Sequence, residues 1–460
     1  MKVHFIAIGG SVMHNLAIAL HKKGYTVSGS DDEINEPSKT RLERYGLLQK
    51  NIGWDTTKIH QRLNAVILGM HARLDNPELL RAQELGLKIY SYPEYIYEQT
   101  KDKIRIVIGG SHGKTTITAM VLHVLKNCGK DFDYLIGAQV DGFDTMVKLT
   151  DSATIAVLEG DEYLASPIDK RPKFLLYKPD IALLSGIAWD HINVFPTYKG
   201  YVEQFKKYID CIEQSGSLIY CEDDKEVKAL VAGARKDIRE IPYSIPKHKI
   251  ENGITYLTPS LQGRIGEGLF PLLVYGEHNL INLNGARQVC KQVGISDEQF
   301  YTAISSFKGA AKRLELIVKN PHFAFYKDFA HSPSKVKATI EAVKKQFPER
   351  KLTACLELHT FSSLNEIFLK EYTGAMDSAN EAIVYFNPYT IEHKKLKPIT
   401  EEQVKNSFGR STLKVFTDSK LIFQYISEQK WDNQNLLMMS SGTFDGMDLK
   451  KIGEELLLKN

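Results

Sequence analysis

Residues 104–120, IRIVIGGSHGKTTITAM, constrain this chain more than any other stretch. Ile106, Val107 and Ile108 form a β-branched run that predicts a short buried strand. Gly109, Gly110, Ser111, His112 and Gly113 follow as a loop of mostly small residues, and Lys114-Thr115-Thr116 opens a helical pattern through Met120, Val121, Leu122 and Val124. Strand, glycine loop, Lys-Thr and helix are the parts that hold a triphosphate. Glycines let backbone N–H groups approach phosphate oxygens, and the helix N-terminus adds its positive dipole. Lys114 supplies a mobile charge for the β- and γ-phosphates, and the Thr115 hydroxyl can ligate Mg²⁺. Gly110, Ser111, Gly113 and Thr116 complete the cradle. Such a loop is expected to be solvated, so loss of the Lys114 charge should leave the fold intact.

At 460 residues the chain is long enough for roughly two to four domains. Lys and Arg total 59 against 56 acids, a net of +3. No large field of one sign points to nucleic acid or to an anionic membrane. The cysteines, Cys128, Cys211, Cys221, Cys290 and Cys355, are scattered and form no Cys-x-x-Cys pair. Reduced thiols in a cytoplasmic protein are expected, and a cysteine metal site is not. The apolar N-terminus is interrupted by Gly9, Gly10 and His14 and reads as strand and helix, not as a signal peptide. No apolar run is long enough for membrane insertion.

Val3–Ile8 is a buried-strand pattern. Gly9-Gly10-Ser11 turns it into a helix that ends near Gly24, and Tyr25–Ser28 is a second strand closed by Gly29-Ser30-Asp31. This is a Rossmann-like opening: a phosphate turn after the first strand and an acid after the second. Gly-Gly-x-x-x-His is not the dinucleotide fingerprint Gly-x-Gly-x-x-Gly, so NAD is not implied. Further strands at 65–69 and 88–90 close a first domain, 1–99.

A second domain, 100–309, starts at the phosphate loop. The strand 154–158 leads into Glu159-Gly160-Asp161-Glu162, and an acid at the carboxyl end of a strand beside a phosphate loop suits a Mg²⁺ contact. Strand 181–185 leads into Trp189-Asp190-His191. Residues 236–275 read as short β segments of an inserted antiparallel region, before a helix over 280–293. The third domain, 310–460, alternates strand 323–327, helix 334–346, strand 351–357, helix 363–378 and strands 382–386 and 435–439. The fold class is α/β: a Rossmann-like N-terminal domain, a central P-loop ATPase domain with a parallel sheet, and a C-terminal Rossmann-like domain.

Several signatures now coincide: GGSHGKTT at 109–116, LEGDE at 158–162, WDHINVFPTY at 189–198, GEHNLIN at 276–282, KGAAKRLE at 308–315 and YKDFAHSP at 326–333. In this order the chain resembles the Mur ligase family over nearly its whole length. IAIGGSVMHNLA and the SGSD at 28–31 are similar to the UDP-binding domain of the members that act on UDP-N-acetylmuramate. GSDDEINEPSKTRLERYG resembles the branch that recycles murein peptide more than the branch that adds L-alanine. His14 stands where relatives have glycine, which implies a differently arranged turn.

The resemblance implies an ADP-forming carboxylate–amine ligase. ATP phosphorylates the carboxylate of UDP-N-acetylmuramate, and an amine, an amino acid or a murein peptide, attacks the acyl phosphate. No protein nucleophile is required; catalysis is positioning and charge neutralisation. By the same likeness Gly9, Gly10, Ser11, Ser30 and Asp31 bind the UDP-sugar. Thr115 and Glu159 hold one Mg²⁺, and Glu159 with His191 a second. His112 sits beside the reacting groups, Asn279 borders the adenine, and Arg313 and Asp328 reach ATP from the third domain. Lys206 falls where many members carry a carbamylated lysine, although the muramate-adding branch generally lacks it; a solvated helix lysine is the plainer reading. The loops at 359–361 and 441–444 are expected to meet the amine. A polyglutamate synthetase would share only the ATP core, and residues 1–99 argue against it.

Overall fold

A computed structural model of the chain describes residues 1–251, 253–259, 269–309 and 314–458. They form two compact units. One comprises 1–187, 198–244 and 283–303; the other comprises 188–197, 245–282 and 304–460. The fold is α/β throughout, with three largely parallel sheets and one small antiparallel sheet.

The first unit contains two of the parallel sheets. Thr26–Ser30, Lys2–Ile6, Ala65–Leu68 and Ile89–Ser91 lie side by side in that order, all parallel. The helix Ser11–Lys22 follows the first strand, and its residues 13–20 are buried. The larger sheet runs Arg239–Tyr243, Ser217–Cys221, Ile181–Leu184, Ile104–Gly109, Ile155–Glu159, Asp133–Leu135 and Val147–Lys148. Only the last pairing is antiparallel. Ile106, Val107 and Ile108 are wholly buried, as a central parallel strand covered on both faces demands. The edge strand Arg239–Tyr243 corrects one expectation. It joins this parallel sheet beside Ser217–Cys221 and is no part of an antiparallel insertion. Arg239, Glu240 and Pro242 are exposed, as suits an edge strand paired on one flank only.

The second unit holds the antiparallel sheet, His248–Glu251, Ile254–Leu257 and Phe270–Leu272. Its main sheet runs Glu315–Lys319, Phe323–Asp328, Gln434–Met439, Lys351–Leu358, Glu381–Phe386 and Lys414–Phe416, with only the first strand antiparallel. Alternate residues feed opposite cores. Leu437 and Met439 pack with Val336 and Ile340 on one face, whereas Leu436 and Met438 pack with Ile422 and Trp431 on the other. The helix expected over 363–378 is corrected to one short turn, Glu366–Leu369, followed by a 3₁₀ turn, Lys370–Tyr372. Gly374 has φ +73°, which ends any helix there although Leu369, Tyr372 and Met376 keep helical spacing and burial.

Beneath the first sheet lies a buried polar pair. His4 Nε2 is 3.0 Å from Glu78 Oε2, both side chains fully buried, and Glu78 Oε1 accepts from the Asp55 N–H at 2.7 Å. Burial opposes ionisation of Glu78, but His4 and the N–H donor outweigh it and hold the carboxyl below its usual value. A carboxyl lowered on folding stabilises the fold above its unfolded value, about 4.3, and loses that contribution as pH falls through the folded value. Glu78→Ala should therefore cost about 3 kcal/mol near neutrality by leaving buried donors unpaired. Urea midpoints taken from pH 7 downward should show the variant's deficit shrinking as the acid range is entered.

Candidate active site

Sheet register brings three loops of the first unit together. Ile108 lies opposite Glu159 on one side of the central strand, and Gly109 lies opposite Leu184 on the other. The phosphate loop, the acidic loop 159–162 and Ser185-Gly186 thus leave the sheet at the same carboxyl edge, where ligands of open α/β sheets bind.

The phosphate loop needs its glycines. Gly110 has φ +131°, and a Cβ there would run into the Ser185 side chain. Gly113, at φ +79°, precedes the helix Lys114–Asn127 in a left-handed conformation. The Ser111 N–H donates to the Gly186 carbonyl at 2.9 Å, and Ser185 Oγ donates to the His112 carbonyl. The His112 ring packs where a side chain on Gly186 would stand.

Lys114 is not in the solvated loop that sequence reasoning expects. Its side chain is only 13% exposed, and its ammonium donates to the Gly110 carbonyl at 2.7 Å and to Glu162 Oε2 at 2.6 Å. Burial works against the charged form, yet Glu162, Asp161 and Glu159 raise the ammonium above the ordinary lysine value. The correction has a physical origin: the glycine loop folds over the strand ends, so a charge inside it needs a buried partner.

Three acids divide the surrounding donors. Glu159 Oε1 accepts from the Thr115 hydroxyl at 2.7 Å, and Oε2 from the Gly137 N–H at 2.7 Å. Asp161 pairs with Lys173 at 2.5 Å. Glu162 takes Lys114 on one oxygen, and its Oε1 lies 3.1 Å from the Tyr201 hydroxyl, which is also 3.0 Å from Ser111 Oγ. Thr115 and Glu159 offer hard oxygen donors side by side, the chemistry that suits Mg²⁺.

Tyr201, Lys173 and Glu162 were not singled out by sequence. Tyr201 carried a readable signal. With Phe205 and Tyr208 it forms the buried i, i+4, i+7 stripe of the helix Tyr198–Asp210. Lys206 lies off that stripe and is exposed, the solvated-lysine arrangement.

At the N-terminal turn, Asp31 Oδ2 accepts the Gly9 N–H at 2.7 Å, and Lys58 donates to the Ser30 hydroxyl and the Gly29 carbonyl, each at 3.0 Å. Burial, with Asp32 beside it, pushes the Asp31 carboxyl up to about 6 despite the N–H donors of Gly9 and Glu33. Gly9, Gly10, Ser11, Ser30 and Asp31 are therefore contiguous. His14 keeps the turn. It is buried, its Nδ1 lies 2.9 Å from the Gly10 carbonyl and 3.0 Å from Ser38 Oγ, and its Nε2 lies 2.9 Å from Asn15 Nδ2. Burial lowers its basicity, and a donor on Nδ1 with an acceptor on Nε2 satisfies the neutral ring.

The other predicted residues belong to the second unit. Asp190 is buried. Burial opposes its ionisation, but Lys335, His191 and His331 hold the carboxyl well below the usual carboxylate range. His191 adjoins it with φ +56°. Asp328 is buried and accepts from the Leu314 N–H at 2.5 Å and the Ala330 N–H at 2.6 Å. It anchors the chain just after Arg313, which lies outside the described residues. Asn279 Nδ2 donates to the Tyr275 carbonyl at 2.8 Å from the first turn of the helix Glu277–Gln292, which starts earlier than expected. In the loop 440–444, the Phe444 N–H donates to buried Glu357 at 2.9 Å, and Ser440 donates to the same carboxylate.

Two family models match, the Mur ligase catalytic domain over residues 2–103 and the Mur ligase middle domain over 108–290. A UDP-N-acetylmuramate–L-alanine ligase of Caldicellulosiruptor bescii is 32% identical over 410 residues, covering 88% of this chain and 87% of its own. Among solved structures, a murein peptide ligase of Psychrobacter arcticus superposes with a TM-score of 0.65 at 23% identity, covering 100% of this chain and 98% of its own. A UDP-N-acetylmuramate–alanine ligase of Thermotoga maritima gives 0.70 at 18% identity, covering 100% and 99%. These likenesses run through both the N-terminal turn and the phosphate loop, and the chain belongs to the Mur ligase family of ATP-dependent carboxylate–amine ligases.

Proposed function

We propose that this enzyme joins the carboxylate of UDP-N-acetylmuramate to the amine of a murein peptide, L-alanyl-γ-D-glutamyl-meso-diaminopimelate. Residues 1–99 take the UDP-sugar, 100–309 take ATP, and 310–460 take the amine. The observation that carries the reading is the Lys114 ammonium at the mouth of a glycine loop, beside the Thr115–Glu159 pair. A carboxylate is a poor electrophile at neutral pH, and transfer of the γ-phosphoryl group supplies it with a leaving group. The amine then attacks the acyl carbon, and phosphate departs with the electron pair of the broken C–O bond. Lys114 neutralises charge on the transferring group, and backbone N–H groups of 112–115 orient the polyphosphate. Thr115 and Glu159 would hold Mg²⁺, which when bound screens the phosphate charges. Asp31 holds the Gly9 N–H and fixes the turn, and the N-terminus of the helix Ser11–Lys22 would face the diphosphate of the UDP-sugar. A second reading, L-alanine as the amine, is favoured by the 32% identity to an L-alanine ligase.

Lys114→Ala should lower the rate of phosphate release by a factor of about 100 or more, the range for removal of one preorganised charge contact. It should also lower the melting temperature, because buried Glu162 loses its cation. Turnover near the parent rate would refute the assignment. The substrate is decided by supplying ATP and UDP-N-acetylmuramate with either the tripeptide or L-alanine. Phosphate release is expected with the tripeptide, and release with L-alanine alone would move the enzyme to the second reading.

A further inference from the structure

Lys114 has two claimants. In the reading above it serves the polyphosphate, but in the structure its ammonium is held by two protein oxygens, the Gly110 carbonyl and Glu162 Oε2. Glu162 stands apart from its neighbours in this. Glu159 is engaged by Thr115 and Gly137, and Asp161 by Lys173. The Glu162 side chain is 1% exposed, so it cannot turn out to water when Lys114 leaves. Its other oxygen lies against the hydroxyl of Tyr201, which is itself fully buried on the packed face of its helix.

We propose that Glu162 is a positioning residue that competes with the triphosphate for Lys114, held to that task by the Tyr201 hydroxyl. The inference rests on the assignment of ATP to the phosphate loop. In the free protein the pair keeps a buried ammonium compensated and fixes it beside the loop. When nucleotide binds, one ion pair is exchanged for another, and the Glu162 carboxylate is left facing polyphosphate oxygens. Binding is thereby weakened and release of ADP eased: the lysine returns to a partner already in place. Tyr201 matters because an unanchored carboxylate would swing with the lysine and cease to be a defined competitor.

The test is calorimetric titration of the full-length protein with ATP and with ADP in excess EDTA, so that metal ligation plays no part. The parent is compared with Glu162→Gln, Tyr201→Phe and Lys114→Ala. Glu162→Gln should bind ATP on the order of tenfold tighter, the low end for a close charge pair. A lower KM for ATP and a lower kcat should accompany it, because ADP leaves slowly. Tyr201→Phe keeps the carboxylate and should tighten binding by a smaller factor; it carries the test if Glu162→Gln fails to fold. A merely structural role predicts weaker binding, so unchanged or weakened affinity in a folded variant overturns the proposal. If the parent binds ATP no better than Lys114→Ala, the assignment of ATP to this loop fails instead.

Discussion

The ion pair between Lys114 and Glu162 is the constraint around which the first unit is arranged. Two charges taken out of water lose their hydration, and their attraction repays that loss only when geometry is good and the remaining hydrogen-bonding capacity is met. Both conditions are satisfied. The ammonium has the Gly110 carbonyl besides the carboxylate, and the carboxylate has the Tyr201 hydroxyl besides the ammonium. Each satisfying group comes from a different element: the phosphate loop, the loop after the strand Ile155–Glu159, and the helix Tyr198–Asp210. The pair can form only if all three are in place.

Parallel pairing is what puts them there. The three central strands end in register, so their outgoing loops leave one edge within a few ångströms of each other. Residues of low bulk are then required where loops cross. Gly110 meets Ser185, Gly186 meets the His112 ring, and a Cβ on Gly137 would stand 2.7 Å from Glu159 Oε1. The glycines are steric consequences of bringing the loop 109–113 and the Glu159 carboxylate to one place.

How much of this was legible in the sequence follows from how local each determinant is. The strand–loop–helix from Ile104 to Met120 was readable because its signals, β-branched run, glycines and Lys-Thr, are contiguous. Glu159 was readable because it terminates an apolar run. Glu162 was not, because it lies on a loop with no period to say which way it points. Tyr201 is core by burial, and only its hydroxyl reaches Glu162 and Ser111. The false helix over 363–378 arose from apolar spacing that the fold does satisfy, with short turns in place of a continuous helix. The edge strands Glu315–Lys319 and Lys414–Phe416 escaped notice because half-paired strands carry mixed exposure.

His14 shows how a buried imidazole can be accommodated at the N-terminal turn. A histidine four residues past Gly10 in a helix brings Nδ1 back to the Gly10 carbonyl, one turn earlier. That carbonyl already accepts the His14 N–H at 3.0 Å, so the ring adds a second donor to an oxygen at the helix start. Nε2 then needs a donor, which Asn15 supplies, and Asn15 Oδ1 in turn receives Arg41 at 3.2 Å and the Met146 N–H at 3.0 Å. A buried imidazole at this position thus commits a chain of neighbours to satisfying it. The outcome is a turn stiffened by hydrogen bonds rather than freed by the absence of a side chain.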